Sequence, residues 1–404
     1  MLPEFYHKCL SQLLTSRQYA TLRIIVLILQ SYRTIQQLDW SRRGNPADPL
    51  AQIEKLASIL PIPIKYQSRR RHIQRFLILP QLTTKCIWFP IIKKWLKINQ
   101  TSKKVCYLAI DRTRWQERNL FVASLIKNKR GIPLNWMLLS KKGNSNIAEQ
   151  KRLLKSTLRL LKGYQVIVIG DREFGNINLA DWLSKEGCNY VLRTKSNKYI
   201  QQKGEAYRQL SSLGLKPGKS FYLKQVKFTK QLGMTRVNLA FYWRRTTSDK
   251  RKNEGWYLVN NLSGLKPTIS AYKKRMGIEA MLKDCPKGLA SRRKSGGYNL
   301  EKCQGNEQRL LSLILLIAIA YTCAVNKGQN IAFKGVKEYV CRLPENFRKE
   351  KRHSNFWIGL YGNLWVENFQ MCNDWIEQLM ILTPNKLPFY QQGMRAKKLI
   401  LSSL

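Results

Sequence analysis

The sequence predicts a mixed α/β protein in which a sheet-forming middle lies between helical end regions and is interrupted by a β-rich insertion. Apolar residues with helical spacing dominate residues 1–104. From Val105 the pattern changes to short apolar runs of strand length. Residues 196–254 then alternate apolar and polar positions around turn signals and contain few acids, which is typical of a basic β insertion.

Residues 1–104 are predicted to form a helical, DNA-binding region. An apolar run spans Leu22–Leu29, and the prolines within 45–49 predict a break. The basic cluster Arg69–His72 opens an amphipathic stretch that continues to Leu82. Such a cluster fits sequence recognition or backbone contact on DNA, and it also fits the solvated end of a helix.

The middle of the chain predicts three antiparallel strands, then a helix, a strand, a helix and a strand. Turns and short links separate the first three runs. The elements are strands over Val105–Ile110, Leu120–Ile126 and Pro133–Leu139, a helix over Asn146–Leu161, strand Gln165–Ile169, helix Leu179–Lys185 and strand Tyr190–Arg193. This order matches a ribonuclease-H-like sheet, so residues 105–195 are predicted to be the first part of such a core. In that topology Asp111 and Asp171 fall at the ends of neighbouring strands.

The second part of the core is assigned to residues 255–326 and a helical C-terminal region to 327–404. Within this stretch Leu310–Val325 is sixteen residues long and carries no charge. That length falls short of the ~18–20 residues needed to cross a bilayer, and no second span accompanies it, so a buried core helix is favoured over a membrane span.

The net charge of the chain indicates what class of molecule it binds. Lys and Arg outnumber Asp and Glu by 72 to 24, which gives a net charge of +48. A field of this sign favours nucleic acid in a salt-dependent way. A ribosomal-type or merely solvated surface is the alternative, but 404 residues with 11 Trp and 18 Tyr can bury sizeable cores. The cysteines form no C-x-x-C pair and the three histidines lie far apart, which disfavours zinc and disulfide frameworks and indicates a reducing cytosol.

Three carboxylates form the candidate catalytic set. Asp111 and Asp171 each follow an apolar run directly, where a charge has no packing role, although either alone could cap a loop. Glu279 is predicted to share one helix face with Tyr272 and Arg275 because positions i, i+3 and i+7 lie close together on a helix. Two-metal phosphodiester cleavage needs carboxylates brought together from separate elements, and Mg²⁺ prefers such oxygen ligands.

Taken together, these motifs resemble a family. Asp111-Arg-Thr, Gly170-Asp-Arg-Glu173 and Tyr272-x2-Arg275-x3-Glu279 resemble the DDE transposases of bacterial insertion sequences, specifically the family-four type with the Y-R-E-K signature. The resemblance covers roughly residues 60–325. It implies cut-and-paste transposition with end hydrolysis, a hairpin intermediate and strand transfer into target DNA. It also implies two Mg²⁺ ions, with Mn²⁺ as a substitute, held by the three carboxylates, and a homodimer on double-stranded transposon-end and target DNA.

The resemblance assigns DNA contacts to further residues. Tyr272 and Arg275 match residues that contact transposon-end phosphate, and Arg193 and Lys195 match a basic pair after the fifth strand. Trp256 matches the aromatic residue that receives a flipped base, although it could equally be a core aromatic. A ring can stack on any base, which offsets part of the cost of flipping. From position alone, Arg172 either favours the ionised form of the neighbouring carboxylates or touches DNA phosphate.

The sequence departs from the family at the fourth signature residue. The family has Lys seven residues after the Glu, whereas position 286 is proline, which predicts that the helix ends near Asp284. Pro286–Arg293 therefore reads as an eight-residue insertion on a surface loop. Lys294 is the best match to the signature lysine, with Lys287 as a substitute. Weak or absent transposition is expected, because the ammonium group of a lysine on such a loop must be ordered before it can bind a phosphate.

Two alternative functions stay open. A catalytically impaired copy could act only as a DNA-binding protein, and a related metal-dependent nuclease would cleave DNA without joining strands. The chain is expected in the cytoplasm, associated with the nucleoid and with no membrane partner.

Overall fold

The structure is a computed structural model that describes residues 2–38, 51–99, 105–115, 118–141, 143–228, 236–245, 254–284, 306–342 and 353–404. The chain divides into two compact units. One contains residues 1–91 and 284–404, and the other contains residues 92–283. Each unit is considered by itself.

The helices are α1 (Glu4–Leu10), α2 (Ser16–Leu38), α3 (Ala51–Ile59), α4 (Tyr66–Leu77), α5 (Phe89–Asn99), α6 (Ile147–Leu160), α7 (Ile177–Lys185), α8 (Leu265–Lys273), α9 (Met276–Asp284), α10 (Glu307–Phe333), α11 (Asn355–Met371), α12 (Asn373–Leu382) and α13 (Leu387–Leu401). A π-helical turn, Thr84–Trp88, precedes α5, and short 3₁₀ turns lie at Leu210–Leu213, Lys337–Tyr339 and Pro384–Lys386. The strands are β1 (Cys106–Trp115), β2 (Arg118–Lys127), β3 (Arg130–Leu139), β4 (Val166–Gly170), β5 (Asn189–Arg193), β6 (Tyr199–Gln201), β7 (Arg208–Gln209), β8 (Ser220–Phe228), β9 (Arg236–Tyr242) and β10 (Trp256–Asn260).

The strands of the second unit form one sheet in the order β3-β2-β1-β4-β5-β10-β9-β8-β6-β7. Strands β1, β2 and β3 pair antiparallel, and β4 and β5 continue parallel to β1. This is the element order that the sequence predicts for residues 105–195. The β-rich insertion does not form a separate sheet. Its strands β8 and β9 join the core through β10, which pairs with β5 on one side and β9 on the other.

One face of this sheet carries helix α8. Ile167, Ile169 and Val191 of the parallel strands pack with Ala271 and Tyr272 of α8 in one buried cluster. A ring stack between Phe121 and Phe174 lies elsewhere in the core, with centroids 5.4 Å apart. Helix α6 begins where predicted because Asn146 and Glu149 form a capping box: each side chain accepts a hydrogen bond from the other's backbone N–H.

The helical unit is built around α10. Most of this helix is buried, including the uncharged stretch that the sequence assigns to a core. It crosses α11 so closely that a Cβ on Gly328 or Gly359 would lie within 2 Å of a carbonyl oxygen of the other helix. Helix α10 is long and apolar enough to cross a membrane, but 89% of its most apolar window is buried inside the protein, as a core helix would be.

Three predictions differ from the structure. Helix α10 clusters with the N-terminal helices, not with the sheet as the 255–326 assignment supposed, because it packs on α2 and α11. Asp111 does not end a strand, since β1 continues to Trp115. Tyr272, Arg275 and Glu279 do not share one continuous helix. The chain turns at Lys274 and Arg275, where the backbone bonds of Lys274, Arg275, Gly277 and Ile278 are i to i−3.

Candidate active site

Asp111 and Asp171 lie at matching positions of two neighbouring parallel strands. The register of β1 and β4 pairs Ala109 with Ile169. Continued by two residues, it sets Asp111 beside Asp171, immediately after Gly170 ends β4. In a parallel pair, residues at the same register point to the same face. Both carboxylates therefore project from the face that packs against α8, even though β1 itself runs on past Asp111.

The turn between α8 and α9 brings the other three residues to the same face. Tyr272 lies at the end of α8, Arg275 in the turn and Glu279 in the first turn of α9. The Arg275 guanidinium donates a hydrogen bond to Glu279 and lies 5.9 Å from the centroid of the Tyr272 ring. Gly277 permits this turn to approach β2, since a Cβ there would lie 2.9 Å from Ile126.

The acidic groups form one electrostatic cluster around Arg275. Burial, followed by the charge of Asp171, raises the pKa of Asp111 to about 6, and Glu279 adds to this while Arg275 opposes it. Burial also raises the pKa of Asp171. Burial alone would lower the pKa of Arg275. The combined effect of Tyr272, Glu279, Asp111 and Asp171 is larger than that of burial, so the pKa of Arg275 is raised. Arg275 therefore opposes the charge of the carboxylates from the centre of the cluster, and Arg112 adds to its effect on Asp171.

The donor set suits hard divalent cations. Three carboxylates are the oxygen ligands that Mg²⁺ prefers, and their mutual repulsion, visible in the pKa of Asp111, is what a divalent cation would relieve. Within the described residues, no group of three or more His, Cys, Asp or Glu side chains forms a ready-made metal cage. Glu279 is instead paired with Arg275, so ion binding by all three carboxylates would require this pair to loosen.

Beside the carboxylates lies an aromatic and basic layer. Trp256 packs its ring edge to face with Tyr272, with centroids 4.8 Å apart, and is half-buried. The Tyr272 hydroxyl and the Arg193 Nε are both buried, and neither atom has a hydrogen-bond partner at bonding geometry within the described residues, although Arg193 lies close enough to the hydroxyl to lower the pKa of Tyr272. Burial raises the pKa of Tyr272, opposed by the charges of Arg275 and Arg193. Lys195 is exposed just beyond β5.

The two arginines that follow the aspartates have different roles. Arg112 contacts both carboxylate oxygens of Glu173 at 2.8 and 2.9 Å, and it also donates to Asn119 and Asn144. With both partners largely buried, this pair ties β1 to the segment after β4. Arg172 is exposed and pairs with Glu254.

Glu254 was missed by sequence reasoning. Its Oε2 also accepts from Arg193 Nη2 at 3.2 Å, so one carboxylate holds two of the predicted DNA contacts. The signal that could have found it is weak, because Glu254 is a rare acid in a basic insertion and lies 61 and 82 residues from its partners. The signature-lysine candidates Lys287 and Lys294, and the Pro286–Arg293 insertion, lie outside the described residues. Helix α9 is described as far as Asp284, the predicted end.

Comparison with known proteins identifies the family. The family model for the transposase DDE domain matches residues 108–320, which is more than half of the chain. The chain belongs to the DDE transposase domain family. The matched range contains Asp111, Asp171, Glu279 and the whole β-rich insertion, residues 196–254. This DDE transposase is also similar to a solved structure, the cryo-EM structure of a piggyBac transposase synaptic complex with hairpin DNA. That match has 16% identity and a TM-score of 0.40, and it covers 89% of this chain and 75% of the other. No curated protein matches the sequence.

Proposed function

We propose that this protein is a cut-and-paste DNA transposase of the insertion-sequence type, family four, with Asp111, Asp171 and Glu279 as its catalytic carboxylates on a ribonuclease-H-like core. The observation that carries the proposal is the register that sets Asp111 beside Asp171, with Glu279 tied to the same electrostatic cluster through Arg275. The sheet order β3-β2-β1-β4-β5, with its antiparallel and parallel halves, supports the proposed core.

The carboxylates would hold two Mg²⁺ ions, or Mn²⁺ in their place. Such ions supply Lewis-acid stabilisation to the attacking and leaving oxygens of a phosphodiester. The protein's own residues then position the DNA. Arg275 carries a positive charge beside the carboxylates, where a scissile phosphate would bind, and can exchange Glu279 for that phosphate. The Tyr272 hydroxyl and the Arg193 Nε lie near each other but have no hydrogen-bond partner at bonding geometry within the described residues, and an end phosphate could accept from both after a small rearrangement.

Trp256 supports the proposed handling of a flipped base. Its ring is half-buried, and it rests on Tyr272 in the aromatic layer beside the carboxylates. A base stacked there would replace part of the stacking lost from the duplex, at ~1–3 kcal/mol per base. A homodimer on paired transposon ends and a cytoplasmic, nucleoid-associated location complete the proposal.

The test uses the DNA that flanks the gene. Labelled duplexes from both flanks are incubated with purified protein, with Mg²⁺, with Mn²⁺ or with a chelator, and a supercoiled plasmid is added as target. We expect metal-dependent nicking at the flank ends, followed by joining to the plasmid. Asp111→Asn, Asp171→Asn and Glu279→Gln should abolish both steps. Asp181→Asn removes a half-exposed carboxylate that pairs with Lys185 in α7 and lies outside the candidate site, so it should leave both steps intact.

The outcomes separate the alternatives. Cleavage without joining would favour the nuclease, and binding without cleavage in every metal would favour the impaired copy. The observation behind the latter is that proline occupies the position of the signature lysine, while Glu279 is already paired with Arg275. Equal cleavage by wild type and all three carboxylate variants would overturn the assignment of the active site.

A further inference from the structure

The basic cluster Arg69–His72 divides into two halves once α4 is folded. Arg70 pairs with Glu54 of α3 at 2.7 Å, and Arg69 Nη1 donates to the Leu60 carbonyl at 3.4 Å. These two arginines hold α4 against the preceding segment. Arg71 is exposed, as is Arg75 one turn later. Positions i and i+4 lie on the same helix face, so these two present their guanidinium groups together.

That face borders a groove of about 480 Å³ between α2 and α4, which we call the α2–α4 groove. Its lining includes Arg17 in the first turn of α2, and Ser68, Arg71, His72 and Arg75 on α4. Within the described residues, no carboxylate lines the groove and none of its three arginines has an acidic partner. Three guanidinium groups thus gather on two helices of a chain that already carries +48.

His72 is a fixed part of the wall and adds no charge at neutral pH. The Thr21 hydroxyl donates to the Arg17 carbonyl at 2.9 Å, so it can accept from His72 Nε2 at 3.1 Å. Burial, followed by the charge of Arg17, lowers the pKa of His72. The histidine therefore orders the two helices against each other, and the charge of the groove comes from the arginines alone.

We propose that the α2–α4 groove binds the phosphate backbone of double-stranded DNA outside the catalytic contacts, with Arg17, Arg71 and Arg75 as the phosphate ligands. Arginine suits this role because its planar fork can donate two hydrogen bonds to one phosphate. The choice of DNA as the polyanion rests on the proposed transposase function. A polyanion fits better than a small anion because the three groups are exposed along an open groove, where several phosphates can bind at once.

The test compares two pairs of arginines on one helix. Wild type, Arg71→Ala/Arg75→Ala and Arg69→Ala/Arg70→Ala are titrated on a generic duplex between 50 and 200 mM salt, and binding is followed by fluorescence anisotropy. Each lost phosphate contact reduces the slope of log K against log salt by ~0.9. We therefore expect a slope smaller by ~1.8 for Arg71→Ala/Arg75→Ala, and smaller still after adding Arg17→Ala.

Arg69→Ala/Arg70→Ala is the matched control, since it removes the same charge from the same helix. It should lower the melting temperature and leave the salt slope unchanged. Arg71→Lys/Arg75→Lys keeps the charges, so most of the slope should return. Equal slopes for the two alanine double variants would overturn the proposal. The choice of DNA would be overturned if duplex RNA bound wild type with the same affinity as duplex DNA and lost the same slope in Arg71→Ala/Arg75→Ala.

The binding test and the cleavage test fail independently. Slopes can be measured with Glu279→Gln, in which cleavage is not expected, so an inactive enzyme would leave the groove result intact. Conversely, normal metal-dependent cleavage together with identical salt slopes in both alanine double variants would support the proposed active site and contradict the proposed binding of DNA in the groove. Melting curves for each variant establish that a changed slope reflects a folded protein.

Discussion

The arginines of the candidate active site and those of the α2–α4 groove differ in what they contact. Around the carboxylates, four arginines within the described residues each have an acidic partner: Arg112 has Glu173, Arg172 and Arg193 share Glu254, and Arg275 has Glu279. In the groove, Arg17, Arg71 and Arg75 have no acidic partner within the described residues.

If both sites bind DNA as proposed, they bind the same polyanion in two different ways. A phosphate that enters the active site must displace a carboxylate, so much of its attraction is offset and the contact chiefly selects geometry. A phosphate that enters the groove displaces only counterions, so its contact adds affinity and salt dependence. We therefore expect the affinity for DNA to depend most on the unit that contains residues 1–91 and 284–404, and cleavage to depend on the unit that contains residues 92–283.

The largest expected effect is a separation of cleavage from binding. Glu279→Gln removes one carboxylate charge from the candidate site and changes the net charge only from +48 to +49. Cleavage should fall at least ~100-fold, the size typical of losing one electrostatic stabiliser of a transition state. Affinity for duplex DNA and its salt slope should persist. Nicking rates and anisotropy on one duplex measure both, and a rate equal to wild type would remove Glu279 from the catalytic set.

A second effect concerns stability, because the crowded and buried carboxylates of the candidate site lower the stability of the folded state. The pKa of Asp111 rises from 3.8 to about 6. The folded state thus binds a proton that the unfolded chain has already released, and the stability linked to it is lost as pH rises through about 6. Asp111→Asn should raise the free energy of unfolding by about 1–2 kcal/mol at pH 7.5, after allowance for partial exposure.

Denaturant unfolding at pH 7.5 and at pH 4.5, without divalent ions, checks this sign. The gain of Asp111→Asn over wild type should shrink toward the lower pH, where wild-type Asp111 keeps its proton. The control Asp181→Asn, at an exposed i,i+4 pair, should show little change at either pH. A variant that is less stable than wild type at pH 7.5 would mean that Asp111 is held by favourable contacts rather than strained.

Local pattern was sufficient for the order of the strands and for the assignment of the two aspartates to neighbouring strands, but not for the continuation of β1 past Asp111 to Trp115. Apolar runs and the capping box at Asn146 are signals written within a few residues, and the parallel register follows once the strands pair. The turn at Lys274 and Arg275 was not predictable in this way. The residues from Leu265 to Asp284 keep helical spacing throughout, and the break becomes evident only where Gly277 approaches Ile126 of β2.

Long-range pairs account for the other differences. The sequence around Arg172 does not indicate Glu254 as its partner, and the sequence around Arg112 does not indicate Glu173. The role of each arginine depends on that partner. Similarly, the cluster Arg69–His72 reads as one basic patch. Its division into packing and groove-lining halves requires the positions of Glu54, Leu60 and Thr21, which only the packed helices supply.

The smallest expected effect tests whether Glu254 competes with DNA. Its carboxylate is exposed and bridges Arg172 and Arg193, two predicted contacts to the transposon end. Exposed pairs of this kind are worth ~0–1 kcal/mol, so Glu254→Gln should tighten binding of a flank-end duplex by no more than ~5-fold. The matched control is Glu205→Gln, which removes another exposed glutamate of the insertion, paired with Arg208 at 3.6 Å. Both variants lose one negative charge, so a gain caused by net charge alone would appear equally in each. A gain in affinity that is confined to Glu254→Gln, and is lost again in Glu254→Gln/Arg172→Ala, would show that Glu254 competes with DNA for the arginines of the candidate active site. Equal affinities for the two single variants would mean that DNA displaces Glu254 at no measurable cost, and the contrast with the groove would then rest on geometry rather than on competition.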